Sequence, residues 1–200
     1  MILPAPIQNF IEIFSKLPSL GPRLATRLAF YLVGLDHNTF TNLQKALTAL
    51  ATLDRCPSCF SLKEKSLSHC AICTNQNRNP HVIAIVEKDT DMMALEATGK
   101  FTGRYFILGE LAERGVLGSA EKLRLAYLKK KIMDEYSGTL QELILALNLT
   151  TFGDFTAQLI AQEFKTLAKK ITRLGRGIPT GGEIEFADQE TLIDALERRT

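Results

Sequence analysis

Apolar residues in the first 55 positions recur at the spacing of helix faces, which predicts three helices. Pro22 suits the first turn of the second helix, because proline has no N–H to lose there. Thr39 is a candidate N-cap for the third helix. The predicted inner positions of the three helices are Ile7, Phe10, Ile11, Phe14, Leu24, Leu28, Tyr31, Leu32, Leu35, Phe40, Leu43, Leu47 and Leu50.

From residue 81 onward, short apolar runs alternate with longer segments of helical period. The continuous run 82–86 is typical of a strand that is buried on both faces. The other predicted strands are 105–108, 143–147 and 171–174, and the helices between them are 89–98, 119–133 and 155–168. This order predicts an α/β fold with a mainly parallel sheet and crossover helices. A glycine-rich loop at 177–182 and a helix capped by Asp188 complete the chain.

The segment between these two parts, residues 56–80, has no sustained period but contains all four cysteines of the chain. Cys56 and Cys59 form one C-x-x-C pair, and Cys70 and Cys73 form the second after ten intervening residues. Two such pairs can surround one tetrahedral ion, so the pattern predicts a structural Zn²⁺ site with no position open for catalysis. Two disulfides or two redox pairs are the alternatives. We interpret His69 as a bystander.

Composition and charge narrow the class of protein. The 200 residues are 46% hydrophobic and 23% charged, which is ordinary for a globular protein. The net charge of +2 excludes a strongly basic nucleic-acid coat but leaves room for a small basic patch. No apolar run is long enough for a membrane span, and no basic stretch resembling a signal peptide begins the chain. We therefore expect a cytoplasmic protein, where thiols stay reduced.

The segment 17–28, which reads LPSLGPRLATRL, is the candidate DNA-binding element. Gly21 allows the backbone of a tight turn to approach a phosphate closely. The following helix presents N-terminal N–H groups, which form an anion site. Arg23 and Arg27 are four residues apart, so they share a helix face and can neutralise phosphates. An ordinary helical turn with two solvated arginines is the alternative interpretation.

Acidic side chains follow two of the predicted strands. Glu87 comes directly after the strand 82–86, and Asp154 lies soon after the strand that ends near Leu147. Because ligands bind beyond the carboxyl ends of parallel strands, these carboxylates are candidates for holding Mg²⁺. Asp89 and Asp91 are equally well explained as acids at the start of a helix.

Together these motifs resemble the RecR family of bacterial recombination proteins over essentially the whole chain. The resemblance rests on the hairpin segment, the four cysteines, the Glu87 strand end and the block 172–188, TRLGRGIPTGGEIEFAD. It implies four regions: a helix-hairpin-helix DNA-binding region at 1–55, a four-cysteine zinc finger at 56–80, a Toprim domain at 81–175 and a C-terminal oligomerisation arm at 176–200.

The resemblance also implies a function. RecR-like proteins are not known as enzymes; they form a ring-shaped tetramer or dimer, bind DNA, and act with RecO or RecF to load RecA onto single-stranded gaps during DNA repair. By this resemblance Gly21, Arg23 and Arg27 contact DNA, and the four cysteines bind zinc. Glu87 and Asp154 match acidic positions at the surface that engages RecO.

The chain departs from the family pattern after the third strand of the sheet. The family usually has Asn-Pro-Thr-x-Glu-Gly-Glu, but here Leu149 replaces the proline, Phe152 the first glutamate and Asp154 the second. This loss of a carboxylate weighs against the enzymatic alternative, a Mg²⁺-dependent Toprim phosphotransferase or nuclease that uses Glu87 and Asp154. A third hypothesis is a zinc-stabilised assembly module that does not contact DNA.

Overall fold

The structure is a computed structural model, which describes residues 3–111, 117–197 and 199. The chain divides into two compact units, Met1–Leu53 and Asp54–Thr200. We refer to them as the helical unit and the sheet unit.

The helical unit contains α1 (Ala5–Phe14), α2 (Pro22–Val33) and α3 (His37–Leu50). All three predicted helices are therefore present. The N-cap of α3 is Asp36 and not Thr39, because the Asp36 carboxylate accepts hydrogen bonds from the backbone N–H groups of Asn38 and Thr39. Thr39 instead lies within the first turn, where its hydroxyl also donates to Asp36.

The predicted inner faces of these helices are only partly correct. Among the described residues of this unit, Ala25 and Ala29 of α2 are the buried ones. Leu24 and Tyr31 were expected inside but are exposed. The same holds for the whole predicted inner face of α3, Phe40, Leu43, Leu47 and Leu50. The buried side of α2 is formed by short alanine side chains, and the larger apolar residues Leu24 and Tyr31 lie on its exposed side.

The sheet unit begins with a small segment that contains the four cysteines, which we call the knuckle (residues 54–80). Strands β1 (Leu53–Arg55) and β2 (Leu62–Glu64) pair as a two-stranded sheet, and the short helix α4 (Ala71–Thr74) follows. The first cysteine pair lies in the turn between β1 and β2, and the second pair lies at the start of α4.

The main sheet has four strands in the order β4-β3-β5-β6, and every pairing is parallel. Its strands are β3 (Val82–Val86), β4 (Arg104–Ile107), β5 (Glu142–Ala146) and β6 (Ile171–Arg173). The connecting helices are α5 (Asp89–Ala97), α6 (Ser119–Glu135) and α7 (Thr151–Glu163). The predicted α/β fold with a parallel sheet and flanking helices is confirmed. Helix α7 begins four residues before the predicted start, because Thr150 caps it by accepting a hydrogen bond from Gly153 N–H.

Both faces of the main sheet are covered. One face packs against α6 and α7, and its core includes Ile85, Phe106, Leu128, Leu143 and Ile160. The opposite face packs against α5 through a smaller core around Ala84, Val86, Tyr105, Ile107 and Ala146. Strand β3 lies in the middle of the sheet, so its carboxyl end places Glu87 at the edge where ligands of such sheets bind.

The chain ends with a 3₁₀ turn (Ile184–Phe186) and helix α8 (Gln189–Glu197). Asp188 caps α8 as predicted, because its carboxylate accepts a hydrogen bond from Thr191 N–H at 2.9 Å. No helix in the described ranges is both long and apolar enough to cross a membrane.

Candidate metal centre and nucleic-acid interface

The knuckle gathers the four cysteines into one cluster. Their Sγ atoms all lie within 4.8 Å of one another, and within the described residues this is the one group of three or more Cys, His, Asp or Glu side chains placed to hold a metal ion. Cys56, Cys59 and Cys70 are buried, and Cys73 is half-buried. His69 is not part of the group.

The spacing of the sulfur atoms fits a tetrahedral ion better than it fits disulfides. Zinc–sulfur bonds of about 2.3 Å place tetrahedral sulfur ligands about 3.8 Å apart. Cys59 Sγ and Cys70 Sγ lie 3.5 Å apart, far beyond the S–S bond of about 2 Å, and all four cysteines are free thiols. The cluster can therefore accept a divalent metal ion without rearrangement of the backbone.

The thiols of the cluster shift one another's pKa values. The hydrogen bond with Cys70 raises the pKa of the Cys59 thiol. Hydrogen bonds with Cys59 and Cys73 lower the pKa of the Cys70 thiol. A divalent cation at the centre of the cluster would stabilise all four sulfurs as thiolates, because its positive charge would lie next to each of them.

One carboxylate joins the knuckle to the main sheet. Asp89, the first residue of α5, accepts hydrogen bonds from Leu62 N–H at 2.8 Å and from Arg55 Nη1 at 2.5 Å. Arg55 Nη1 also donates to the carbonyl of Phe60 at 2.9 Å. Asp89 is thus more than a helix N-terminal acid, since it holds both strands of the knuckle.

A second attachment comes from the cysteine turn itself. The carbonyl of Cys59 accepts a hydrogen bond from Ile107 N–H at the end of β4. Phe60 has a positive φ of 64°, a conformation that glycine usually adopts, and its ring contacts Phe106 and Tyr127 edge-on at 5.5 Å each. The guanidinium of Arg124 lies 4.9 Å from the Phe60 ring centre. The position of the knuckle is therefore fixed by the core of the sheet unit.

The candidate DNA-binding turn lies between α1 and α2. Ser19 has a φ of 61°, so the left-handed position of this turn is occupied by serine. Gly21 is the N-cap of α2 with a φ of −71°, and a Cβ added there would meet nothing within 4 Å. The N-terminus of α2 is therefore sterically open within the chain.

Arg23 and Arg27 extend from the first two turns of α2. Both side chains are exposed, and among the described residues neither forms an ion pair. Because they are four residues apart on one helix, they lie on the same face and next to the open N-terminus. Two positive charges without an ion pair are thus available to one phosphate backbone. Pro22 has no N–H and the Leu24 N–H donates to the Gly21 carbonyl, so within the described residues Arg23 supplies the free N–H of the first turn.

The two acidic residues predicted at the edge of the sheet both have partners within the chain. Glu87 is buried, with 6% of its surface exposed, and its Oε1 accepts a hydrogen bond from Asn148 N–H at 2.7 Å. The carboxylate therefore ties the end of β3 to the loop after β5. No group of three or more metal ligands forms around Glu87 within the described part of the chain.

Asp154 is paired with two arginines. Its two carboxylate oxygens form ion pairs with Arg173 and with Arg176, the latter at 2.6 Å, and Arg176 also pairs with Glu190 of α8. Partial burial would raise the pKa of Asp154, but the hydrogen bonds and charges of the two arginines outweigh burial and lower it. This network links the start of α7 to the C-terminal helix, and the arginines were not anticipated from the sequence.

Phe152 and Leu149, which replace polar and proline positions of the family pattern, are both exposed. The sequence analysis did not anticipate the contacts by which Ser61, Arg55 and Asp89 hold the knuckle. Their partners are up to 34 residues away along the chain. Only the acidic start of α5 gave a signal, and that signal is equally typical of an ordinary helix N-terminus.

Comparison with known proteins identifies three regions of the chain. Residues 7–51 match the family model of the RecR helix-hairpin-helix, residues 81–175 match the Toprim domain, and residues 177–200 match the RecR C-terminal region. The chain is also similar to full-length proteins named Recombination protein RecR. That of Leuconostoc citreum strain KM20 is 34% identical over 201 residues, covering 100% of this chain and 99% of the relative.

Two further relatives have the same name and a similar degree of identity to this chain. The Recombination protein RecR of Lactococcus lactis subsp. lactis strain IL1403 is 37% identical over 201 residues, covering 100% of this chain and 98% of the relative. That of Heliobacterium modesticaldum is 38% identical over 197 residues, covering 97% and 96% of the two chains. Identity at this level over nearly the whole length of both proteins shows common ancestry and a common domain order, and the chain belongs to the RecR family of recombination proteins.

Proposed function

We propose that this protein is a non-enzymatic recombination mediator that binds DNA through the start of α2 and acts in DNA repair. The observation that supports it most directly is the pair of exposed, unpaired arginines, Arg23 and Arg27, beside the open N-terminus of α2. A helix N-terminus and two guanidinium groups on one face suit a phosphate backbone of any sequence. Binding of this kind is independent of base sequence.

The metal of the cysteine cluster is Zn²⁺ in this proposal. Four thiolate ligands, Cys56, Cys59, Cys70 and Cys73, complete a tetrahedral coordination sphere. The ion then supplies folding energy to the knuckle, and it has no position left for substrate or water. Its role is structural.

Self-association is the second part of the proposal. Apolar side chains along α3, including Phe40, Leu47 and Leu50, are exposed, and a second copy of the chain would bury them. The net charge of +2 is small for a DNA-binding protein. A ring-shaped dimer or tetramer would present several α2 surfaces to one DNA, and the resulting avidity compensates for weak binding by each copy.

The partners proposed from the family resemblance are RecO and RecF, with RecA loading at single-stranded gaps as the outcome. The surface around Glu87 and Asp154 is the proposed contact for RecO. Here that surface has one carboxylate fewer than the family pattern, because Phe152 replaces a glutamate. Asp154 is paired with Arg173 and Arg176, and Phe152 is exposed. A cytoplasmic location is part of the same proposal.

The alternative, a Mg²⁺-dependent phosphotransferase or nuclease, has weaker support. Both oxygens of Asp154 are already paired with arginines, and Glu87 is buried with a backbone partner. A Mg²⁺-dependent nicking assay separates the two functions. DNA cleavage that is lost in Glu87→Ala would favour the enzyme.

The DNA-binding proposal is tested by fluorescence anisotropy with single-stranded, duplex and gapped DNA over a range of salt concentrations. Arg23→Ala and Arg27→Ala should each weaken binding to all sequences and lower the salt slope by about one per phosphate contact. Lys45→Ala, which removes an exposed charge from α3, is the matched control. Unchanged binding by the Arg23→Ala/Arg27→Ala double variant would remove α2 from the interface and favour an assembly module that does not contact DNA.

The partner proposal is tested by pull-down of purified RecO and RecF with the wild type and Asp154→Ala. Loss of RecO capture in the variant supports a contact at the carboxyl end of the sheet. Glu163→Ala at the far end of α7 is the control. Capture of neither partner by the wild type would contradict this part of the proposal.

A further inference from the structure

A buried serine lies against the cysteine cluster. Ser61 is 1% exposed, and its Oγ is 3.1 Å from Cys59 Sγ. Its backbone carbonyl accepts a hydrogen bond from Cys56 N–H at 2.8 Å, which fixes the residue inside the turn that holds the first cysteine pair. The hydroxyl is therefore held next to the sulfur by the fold of the turn and by burial.

The direction of this hydrogen bond follows from the chemistry of a metal-bound cysteine. A cysteine that binds a metal is a thiolate, so its sulfur has no proton to donate. The serine hydroxyl has one proton, and a buried hydroxyl without a partner is costly. Within the described residues, Ser61 Oγ has Cys59 Sγ as its hydrogen-bond partner at 3.1 Å, and the hydroxyl also acts on Cys70, a second ligand of the cluster. The hydroxyl must then donate and the sulfur accept.

We propose that Ser61 donates a hydrogen bond to the metal-bound sulfur of Cys59 and thereby slows both loss of the ion and chemical attack on this ligand. This inference rests on the proposed metal site. A donated hydrogen bond withdraws electron density from the sulfur, so the sulfur reacts more slowly with electrophiles while it stays bound to the metal. Groups that hydrogen-bond to metal ligands typically change metal affinity by about 10- to 100-fold when they are removed.

The neighbouring cysteine makes the role of Ser61 specific. Cys56 Sγ lies 3.5 Å from the backbone N of Cys70, so its hydrogen-bond donor is part of the main chain. Cys59 instead depends on a side chain, which a single substitution can remove. The two ligands of the first pair should therefore respond differently to changes at Ser61.

The first test uses the full-length zinc-loaded protein and the rate at which a coloured chelator takes up zinc. Ser61→Ala should release zinc about 10-fold faster than the wild type. Ser61→Thr keeps the hydroxyl and should restore slow release. Ser68→Ala removes an exposed serine from the same segment and should leave the rate unchanged.

The second test distinguishes a hydrogen bond from simple packing. The wild type and the three variants react with N-ethylmaleimide. A cysteine sulfur leaves the metal and bonds to one carbon of the reagent's double bond, and the other carbon takes a proton from water. Mass spectrometry then gives the rate at each cysteine. In Ser61→Ala the rate at Cys59 should rise more than the rates at Cys56, Cys70 and Cys73. Loosened packing would instead accelerate all four cysteines together.

The tests distinguish a failure of the Ser61 proposal from a failure of the proposed zinc site. Wild-type protein that purifies without a stoichiometric metal overturns the zinc site and this inference with it. A zinc-loaded wild type with equal release from Ser61→Ala, or with equal acceleration at all four cysteines, overturns the role of Ser61 alone. If Ser61→Thr does not fold because its methyl group lacks room, the comparison of Ser61→Ala with Ser68→Ala still decides.

Discussion

The helical unit and the sheet unit differ in where they keep their large apolar side chains. In the sheet unit, Phe106, Ile132 and Leu143 are fully buried between the sheet and its helices. In the helical unit, Tyr31 and Leu47 are more than half exposed, and alanines form the described buried positions. The apolar stripes of α1, α2 and α3 are nevertheless more pronounced in the sequence than those of α5, α6 and α7. The difference shows that a stripe predicts a face to be covered but does not say which surface covers it.

The sheet unit has in addition a local source of order that the helical unit lacks. The knuckle is tied to the main sheet by Asp89 and by the bond from Ile107 N–H to the Cys59 carbonyl. A domain of about 50 residues has little core of its own, so under the proposed self-association the helical unit would gain the most stability. We therefore expect metal binding to stabilise the sheet unit and self-association to stabilise the helical unit.

The largest expected effect is that of removing the metal. Structural zinc contributes on the order of 10 kcal/mol of binding free energy in small zinc domains, so chelation or Cys70→Ala should unfold the knuckle. Hydrogen exchange checks this residue by residue. The amides of Leu62 and Ile107, which donate to Asp89 and to the Cys59 carbonyl, should lose protection. The Ala25 amide in α2, which donates to Gly21, should keep it.

Ser68→Ala, an exposed change in the same segment, should leave every one of these amides protected. Equal loss of protection at Ala25 and Leu62 after chelation would contradict the separation of the two units. It would mean that the metal supports the folding of the whole chain.

A leucine in each unit tests the difference in burial. Leu145 is 2% exposed, so Leu145→Ala should lower the free energy of unfolding by about 3 kcal/mol. Leu47 is 59% exposed, so Leu47→Ala should change the stability of the monomer by less than about 0.5 kcal/mol. Urea denaturation at low protein concentration measures both values.

Sedimentation, which measures self-association, should also distinguish the same two variants. Leu47→Ala is expected to weaken self-association, whereas Leu145→Ala should not. If Leu47→Ala destabilised the isolated monomer as much as Leu145→Ala does, the α3 face would have to pack within the chain.

The sequence predicted secondary-structure elements better than it predicted contacts between residues far apart in the chain. The strand Val82–Val86 was bounded correctly, because a run of five apolar residues between polar ones has the length and composition typical of a buried strand. The cysteine cluster was equally clear, since its ligands lie in an 18-residue segment with fixed spacing. The ion pairs of Asp154 could not be foreseen, because they join residues that are 19 and 22 positions apart and that only the parallel sheet brings together. Local patterns therefore describe elements, and long-range polar contacts require the fold.

A smaller effect concerns these ion pairs. The arginines lower the pKa of Asp154 in the folded protein, so its charged form contributes stability above the ordinary carboxyl pKa near 3.8. That contribution is lost as the pH falls through the lowered pKa. Asp154→Asn should therefore cost about 1 kcal/mol near neutral pH, and the difference from the wild type should vanish in strong acid.

Free energies of unfolding at several pH values measure this difference. Asp134→Asn, which changes an exposed carboxylate on α6, is the control and should show neither the cost nor the pH dependence. A constant difference between wild type and Asp154→Asn at all pH values would contradict an electrostatic origin.

The smallest expected effect lies in the turn of the helical unit. Ser19 has a φ of 61°, where a residue with a Cβ is about 1 kcal/mol less stable than glycine. Ser19→Gly removes this strain but increases the freedom of the unfolded chain, so we expect a net gain of about 0.5 kcal/mol in thermal unfolding. Ser15→Gly is the control, because Ser15 has an ordinary φ of −67° and glycine relieves no strain there. It adds the entropic loss and removes the hydrogen bond from the Ser15 hydroxyl to the Glu12 carbonyl, and both changes lower stability. A gain at Ser19 with a loss at Ser15 would show that backbone strain in the candidate DNA-binding turn, as well as the small alanine core, limits the stability of the helical unit. Equal effects of glycine at both serines would mean that the small alanine core alone limits the stability of the helical unit.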